Sequence, residues 1–309
     1  MYHRFNEAKY PSTNIQMEVF KKQIEIIENS NISFINPINF ETEFLKTHKT
    51  KSILLTIDDG FSSFYENAWP YLKEKKIPFI LFISTREVGK YGYMNWDEIK
   101  EIEKSKIGLV GNHSHSHEYL VDLDEDEINK DIEKSIKIFE KNLGYKSEFF
   151  SYPFGEYSLE FKKLIKSLNF KYAFGQHSGV ADETKDFYEL PRFPINEKYG
   201  ELKRFKSIIN YIPFYYKNIL PKENYLTDQN NPPDVFVEFF PEQNNLKNIT
   251  CYSNENNKWR KSKIQFENSH KLKILIEEKF TTERGRINCS LNDIEGWRWF
   301  GIQFVIKEN

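Results

Sequence analysis

Short apolar runs alternate with amphipathic segments from the start of the chain to about Ile209. The apolar runs have the length of buried strands, and they predict strands at Ser52–Ile57, Phe79–Ile83, Ile107–Val110 and Phe149–Tyr152. Strands that alternate with helices favour a parallel sheet covered by helices, either open or closed into a barrel. In such folds the chemistry lies at the carboxyl ends of the strands.

Two of the intervening segments carry helical patterns. The first is predicted to be capped by Thr13 or Asn14, and its apolar positions are Ile15, Phe20, Ile24 and Ile27. The second begins in the acidic run Asp122–Glu127 and has its lysines later, which suits the helix dipole. Its apolar positions follow at three- and four-residue steps, at Ile128, Ile132, Ile136, Phe139 and Leu143.

The pattern changes after Phe214. Prolines set among Asn and Gln indicate a linker, at Pro213, Pro221, Pro232 and Pro233. Further strands joined by polar turns are predicted at Asp234–Phe240, Asn248–Ser253, Lys271–Glu277, Gly285–Leu291 and Trp297–Ile306. We therefore predict a large α/β domain at residues 1–212, a linker at 213–233 and a small, sandwich-like all-β domain at 234–309.

Trp297 and Trp299 alternate on the last predicted strand and therefore share one face. If that face is exposed, it is a platform for carbohydrate binding by the small domain. If it is buried, it belongs to the core of the sandwich, which is the interpretation that we favour.

Composition narrows the class of protein. Of 309 residues, 39% are hydrophobic and 29% charged, with a formal net charge of −2, as is typical of a soluble globular protein. Basic residues are interspersed with acids, so nucleic acid is not an expected partner. No apolar stretch is long enough to span a bilayer, and the opening residues lack the apolar core of a secretion signal. Cys251 and Cys289 are either two buried thiols or one disulfide formed in an oxidising compartment.

Candidate chemistry begins with Thr-Ile-Asp-Asp-Gly, directly after the first predicted strand of the sheet. Its adjacent carboxylates, Asp58 and Asp59, repel each other unless a cation or a proton separates their roles. An ordinary turn is the alternative.

A histidine-rich loop follows the strand at Ile107–Val110. Three of the chain's seven histidines lie in His113-Ser-His-Ser-His117. His113 and His117 could converge on one ion, with small serines bonding the loop and His115 pointing elsewhere. A carboxylate and two histidines with open positions are what a catalytic metal site needs. A solvated loop is the alternative.

The third motif is Ser151-Tyr-Pro-Phe-Gly155, which closes another strand. Pro153 restricts the backbone φ angle, and Gly155 allows conformations that other residues avoid. The amide of Phe154 between them could therefore face a developing oxyanion. A proline–aromatic–glycine turn without this role is the alternative.

Together these motifs, in this order and each at a strand end, resemble those of the NodB-type polysaccharide deacetylases of carbohydrate esterase family 4. The resemblance covers roughly residues 1–200. It implies a distorted (β/α) barrel that removes N-acetyl groups from an acetylated amino-sugar polysaccharide or oligosaccharide. It further implies that Asp58 is the general base and that one divalent ion, zinc or alternatively cobalt or nickel, is bound by Asp59, His113 and His117. The Phe154 amide would stabilise the tetrahedral intermediate, and Tyr152 and Pro153 would contact substrate.

Two departures from the family pattern matter. The third motif often begins with an arginine that orients the base, but Ser151 stands there, and a late Leu-x-His-Asp segment is absent. The opening Tyr2-His3-Arg4 resembles the N-terminal Tyr-His of biofilm poly-N-acetylglucosamine deacetylases, which implies that His3 is the general acid. A terminal histidine without a role is the alternative. Because the sequence begins almost on this motif, we expect a shortened N-terminus.

Three more side chains are candidates for substrate binding. His177 is a second choice for the acid and is otherwise expected to line the cleft. Arg192 either approaches the active-site carboxylates or pairs with a surface acid. Trp96 forms either a wall that stacks on sugar or part of the core.

Other functions remain open at this stage. One is a metal-dependent hydrolase of a small non-sugar amide, and another is a non-catalytic carbohydrate-binding protein on the same barrel. The linkage cleaved could be an N- or O-acetyl bond. We expect a periplasmic or cell-surface location if a leader is missing from this chain and a cytoplasmic one otherwise.

Overall fold

Helices and short parallel strands alternate up to residue 208 of the computed structural model, and strands dominate afterwards. The residues described are 1–45 and 51–306. The helices are α1 (Met17–Glu28), α2 (Phe40–Phe44), α3 (Trp69–Lys75), α4 (Trp96–Ser105), α5 (Glu125–Leu143), α6 (Leu159–Ser167) and α7 (Leu202–Ile208). Within the described ranges, no helix is both long and apolar enough to cross a bilayer.

The strands divide between the two parts of the chain. The first part contains β1 (Arg4–Phe5), β2 (Asn14–Ile15), β3 (Ser33–Phe34), β4 (Ser52–Ile53), β5 (Leu55–Ile57), β6 (Phe79–Ile83), β7 (Gly108–Asn112), β8 (Phe149–Ser151) and β9 (Tyr172–Phe174). The second contains β10 (Tyr216–Leu220), β11 (Tyr225–Leu226), β12 (Val235–Phe239), β13 (Thr250–Ser253), β14 (Arg260–Lys261), β15 (Lys263–Asn268), β16 (Lys271–Leu275), β17 (Arg284–Asn292) and β18 (Trp297–Ile306).

A parallel sheet in the order β5-β6-β7-β8-β9 forms the centre of the first part. Single bridges extend it at both edges, where Tyr2 pairs with Ile57 and Leu190 pairs with Phe174. The amide of Ile195 then donates to the carbonyl of Met1 at 2.9 Å, which brings the two extensions together. The predicted distorted (β/α) barrel is therefore confirmed, and its strands end at one common mouth.

Burial explains the arrangement around the barrel. Every residue of β6 is buried, as expected for a strand with neighbours on both sides and helices over the sheet. Helix α1 buries Phe20, Ile24 and Ile27 against this core. At about 25 cal/mol per Å² of apolar surface, each such side chain stabilises the fold by about 1.5–3 kcal/mol.

The start of α1 differs from the prediction. The helix begins at Met17, because Asn14 and Ile15 form β2 and pair with β1. Gln16 occupies the N-cap position, so neither Thr13 nor Asn14 caps the helix. Helix α5 does begin in the predicted acidic run, where Asp124 and Glu127 form a capping box.

Two sheets of mostly antiparallel strands form the second part of the chain. Their strand orders are β10-β12-β16-β15 and β11-β18-β17-β13-β14. Apolar residues from both sheets share one core, among them Val235, Val237, Leu272, Ile287 and Phe304. This arrangement confirms the predicted all-β region.

The segment predicted as a linker contributes strands to that region. Strand β10 pairs with β12, and β11 pairs with β18. The prolines that suggested a linker lie beside strands, with Pro221 directly after β10 and Pro233 shortly before β12. Proline at such positions leaves the ladder of hydrogen bonds intact.

The interpretation of Trp297 and Trp299 as core residues is wrong. Trp297 is 51% exposed, and Trp299 is half-buried outside the core. Phe300 and Phe304 point into the core instead, so the tryptophans lie on the opposite face of β18.

That opposite face of β18 packs on the barrel. The side-chain amide of Gln303 donates to the carbonyl of Gly155 at 3.3 Å, and the indole N–H of Trp299 donates to Ser178 Oγ at 3.0 Å. Gly301 is required there, because an added Cβ would lie 2.5 Å from the Ser178 carbonyl oxygen. Strand β18 is therefore buried on both faces and joins the two parts.

A disulfide bond links β13 to β17. Cys251 and Cys289 are direct partners in this antiparallel pair and are bonded to each other. Of the two alternatives for these cysteines, the structure shows the disulfide.

We predict that replacing both Cys251 and Cys289 by alanine lowers the melting temperature of the β-domain. The bond spans 38 residues of sequence, and the chain-entropy model gives about 3–4 kcal/mol for a loop of this length. Calorimetry of the variant should match that of reduced wild type. Identical melting of oxidised and reduced wild type would contradict the prediction.

Candidate active site

Loops that follow β5 and β7 bring one carboxylate and two imidazoles together at the mouth of the barrel. Asp59 Oδ1 lies 3.3 Å from His113 Nε2 and 3.1 Å from His117 Nε2. The three potential ligand atoms all lie within 4.8 Å of one another. The structure therefore brings together the three residues that the sequence singled out as metal ligands.

The hydrogen bond on the far side of His113 sets its tautomer. His113 Nδ1 lies 2.6 Å from the carbonyl oxygen of Ser151, which can only accept. Nδ1 of a neutral ring must therefore carry the proton, which leaves the lone pair of Nε2 facing Asp59. Histidine ligands of metals are commonly oriented by such a bond.

Asp59 presents an oxygen that lacks a donor. Its Oδ1 is buried and makes no hydrogen bond. Burial alone would raise the pKa of Asp59, but His113 and His117 hold it well below the ordinary value, so the group is charged. One carboxylate oxygen and two imidazole nitrogens suit zinc and other first-row divalent ions. The residues present thus fit the divalent ion that the family resemblance implies.

Backbone strain concentrates in these loops. Asp59 (φ 75°), Ser114 (φ 70°), His117 (φ 55°) and Phe154 (φ 57°) all adopt the left-handed conformation. For residues other than glycine this costs about 1–3 kcal/mol each and is found mainly at functional sites. The strain places ligand side chains where relaxed loops would not.

Polar contacts hold the histidine loop in place. The carboxylate of Asp131, on α5, accepts from the amides of His115 at 2.8 Å and Ser116 at 3.0 Å. The Ser114 hydroxyl accepts from the amide of His117 at 3.0 Å. The ring of His115 points away from the other histidines and contacts Thr85. The sequence did not indicate this role of Asp131, because the residue lies among the many charged residues of α5.

Arg192 holds Asp58. The two terminal nitrogens of its guanidinium donate to the two carboxylate oxygens of Asp58, each at 2.8 Å, and one of them also donates to Ser151 Oγ at 2.8 Å. Asp58 is fully buried, which by itself would raise its pKa, but Arg192, with His113 and His3 contributing, outweighs burial and lowers it. The sequence left open whether Arg192 approaches the active-site carboxylates or pairs with a surface acid. The structure shows that it bonds Asp58.

A cleft of about 550 Å³ opens at Asp59 and His117. Three further predicted residues line it beside Asp59 and His117, namely His3, Phe154 and His177. Burial, with Arg192 and Lys162 contributing, lowers the pKa of His177 to about 4. His177 is therefore neutral near pH 7 and is suited to hydrogen bonding with substrate.

The remaining predicted residues do not line the cleft. Tyr152 and Pro153 are buried below it, and the Tyr152 hydroxyl donates to the carbonyl of Tyr188 at 3.0 Å. Trp96 begins α4 and packs edge-on against Phe139.

Tyr119 is a residue of the mouth that the sequence did not indicate. Its ring stacks on that of Phe154, with centroids 4.2 Å apart and planes 8° from parallel. Phe154 in turn contacts the ring of His117 edge-on at 4.8 Å. The aromatic pair therefore supports the exposed side of His117.

Comparison with known proteins agrees with this geometry. Residues 45–173 match the family model described as polysaccharide deacetylase. The poly-beta-1,6-N-acetyl-D-glucosamine N-deacetylase of Staphylococcus aureus is 29% identical over 229 residues, which cover 63% of this chain and 77% of that protein. The predicted resemblance to polysaccharide deacetylases is thereby confirmed.

Solved structures share the barrel. IcaB from Ammonifex degensii superposes with a TM-score of 0.61 and 24% identity, over 67% of this chain and 94% of that one. The deacetylase PplD of Streptococcus pyogenes, solved with acetate, gives a TM-score of 0.61 and 20% identity, over 68% and 96% of the respective chains. At these identities the structures establish the fold alone.

We predict that the protein binds one divalent ion and that His113→Ala and His117→Ala each abolish binding, because two remaining ligands hold such an ion weakly. His115→Ala is the matched control, since its ring contacts Thr85, and it should retain the metal. Elemental analysis after dialysis, with melting temperature measured with and without added Zn²⁺, tests this. Stoichiometric metal in His113→Ala would contradict it.

Proposed function

Because residues 45–173 match the polysaccharide deacetylase family model, we propose that the protein hydrolyses the N-acetyl groups of an amino-sugar polysaccharide. Zinc is the ion that we assign to Asp59, His113 and His117, with cobalt or nickel as alternatives. The observation that carries the proposal is the buried, unpartnered oxygen of Asp59 facing two imidazole nitrogens beside a second, ionised aspartate. The named activity of the Staphylococcus aureus relative supports the N-acetyl linkage.

The reaction adds water across the acetamide and yields acetate and a free amine. When bound, the ion supplies Lewis acidity toward the carbonyl and lowers the pKa of water. Asp58 is charged, and hydrogen bonds from Arg192 orient its carboxylate. Asp58 therefore accepts the proton that the attacking water loses. The Phe154 amide donates to the developing oxyanion, and His3 returns a proton to the departing amine. Both of these groups belong to the cleft.

The pair formed by Asp58 and Arg192 favours an enzyme over a protein that only binds carbohydrate. Burying a carboxylate and a guanidinium costs several kcal/mol in desolvation, which the attraction between them offsets only with good geometry. Sugar binding has no need of an ionised aspartate below the ligand site, whereas amide hydrolysis needs a base there.

We also propose a periplasmic or cell-surface location. The bond between Cys251 and Cys289 supports it, because disulfides persist in oxidising compartments. An acetylated polysaccharide is a substrate found at such surfaces.

We predict that Asp58→Asn retains the metal and loses acetate release by at least about 100-fold, since general-base catalysis contributes about 10²–10⁴-fold. Asparagine keeps the shape of the side chain and cannot accept the proton. Acetate released from N-acetylglucosamine oligomers and metal content should be measured on the same preparation. A fully active variant would sink the assignment of Asp58 as the base.

We predict that Arg192→Lys lowers kcat by about 10–100-fold without loss of metal. Lysine keeps the charge but cannot bond both oxygens of Asp58 at once, and a hydrogen bond to a charged group contributes about 1.5–3 kcal/mol. Arg260→Lys, in the β-domain and paired with Glu278, is the control. Unchanged kcat in Arg192→Lys would show that the base is oriented by other groups.

A further inference from the structure

The β-domain forms one wall of the active-site cleft. Along β17, residues at alternate positions are buried in the domain core, and those between them face outward. The outward residues Arg284, Arg286 and Asn288 line the same cleft as Asp59 and His117. Cationic side chains of a second domain thus stand opposite the candidate metal ligands.

A second cavity continues from this cleft along the β-domain. It has a volume of about 1290 Å³. Three side chains line both spaces, namely Trp259, Arg284 and Arg286. The two spaces therefore adjoin at these residues, and the second lies beyond the position of the sugar that would occupy the active site.

Arg284 is only partly satisfied by its partners. Its Nε lies 2.5 Å from Glu156 Oε1 of the barrel, and its Nη1 lies 3.5 Å from Glu283. Its other terminal nitrogen, Nη2, is buried and makes no hydrogen bond. One donor of Arg284, a residue that lines both spaces, is therefore left without an acceptor.

Arg286 forms no ion pair within residues 1–45 and 51–306, and Glu156, a carboxylate whose charge acts on it, is paired with Arg284. The Nε of Arg286 donates to Gln303 Oε1 at 3.1 Å. Burial, reinforced by Arg284, lowers its pKa, although an arginine remains charged at neutral pH. A half-buried charge without a partner costs free energy that a bound anion would offset.

We propose that Arg284 and Arg286, with Trp259, form a subsite for an anionic group on a sugar next to the one that is deacetylated. Guanidinium groups bind carboxylate and phosphate through paired N–H donors. Trp259 is 54% exposed and offers an aromatic face to the ring of that sugar. The inference rests on the proposed function for the position of the acetylated sugar, and it makes the substrate an acidic amino-sugar polymer.

Binding to full-length Asp58→Asn protein tests the subsite by calorimetry at low salt. Three oligosaccharides of equal length serve as probes: neutral N-acetylglucosamine, alternating N-acetylglucosamine and glucuronate, and phosphodiester-linked N-acetylglucosamine phosphate. We expect one acidic oligomer to bind at least about tenfold more tightly than the neutral one. Arg286→Gln should abolish this preference, and Trp259→Ala should weaken all three oligomers similarly.

Two further variants control for charge and for folding. Arg260→Gln removes a nearby arginine that lines neither space and is paired with Glu278, so the preference should persist. Arg286→Lys keeps the charge and should retain part of the preference, and it replaces the glutamine variant if that protein does not fold. Equal affinity for all three oligomers, or a preference that survives both Arg286 substitutions, would overturn the subsite.

Acetate release by the wild type is measured with the same oligomers. Binding that depends on Arg286, without acetate release from any of them, would reject the deacetylase function and leave the anionic subsite standing. Acetate release combined with binding indifferent to Arg286 would reject only the subsite.

Discussion

The contact of one carboxylate oxygen with two imidazole nitrogens is the constraint around which the mouth of the barrel is built. In a neutral His113 ring, Nδ1 donates its proton to the Ser151 carbonyl. The lone pair of Nε2 then faces a charged oxygen of Asp59 at 3.3 Å. Two electron-rich atoms at this distance repel each other unless a positive charge lies between them. A positive charge at this point, supplied by a proton on an imidazole or by a metal cation, is thus a requirement of the local electrostatics, and the surrounding structure maintains that requirement.

Several elements contribute backbone strain or buried charge to keep the side chains of the mouth in this arrangement. Asp59 and His117 both have left-handed backbone, and the loop of His117 is held by amides bonded to Asp131 and Ser114. Asp58 is kept ionised in a fully buried position by Arg192, which bonds both of its oxygens, with His113 and His3 contributing. Strain and buried charge of this kind reduce stability, so their presence together at one mouth is a property of a reactive site.

Local patterns predicted most of the barrel and the meeting of Asp59, His113 and His117, because each motif directly follows an apolar strand and parallel strands end at one mouth. Contacts between distant parts of the chain were beyond such patterns. Arg192 reaches Asp58 across 134 residues, so its partner could be narrowed to two alternatives and no further. The proline-rich segment has the composition of a linker, and composition does not reveal that β10 pairs with β12. Trp299 was assigned to the wrong face, because alternation identifies two faces without saying which is the core.

The position of strand β18 explains why the prediction for Trp299 is wrong, and it also bears on the choice of substrate. Strand β18 is apolar enough to be buried on both faces, with Phe300 in the domain core and Gly301 and Gln303 against the barrel. A strand enclosed in this way fixes its partner β17 over the mouth, so Arg284 and Arg286 have a set position relative to Asp59. Charges held by a rigid interface are preorganised, and they lose little conformational entropy when a ligand binds. The β-domain is therefore placed to select among polymers by the charge of the sugars that flank the acetylated one, while the barrel supplies the chemistry.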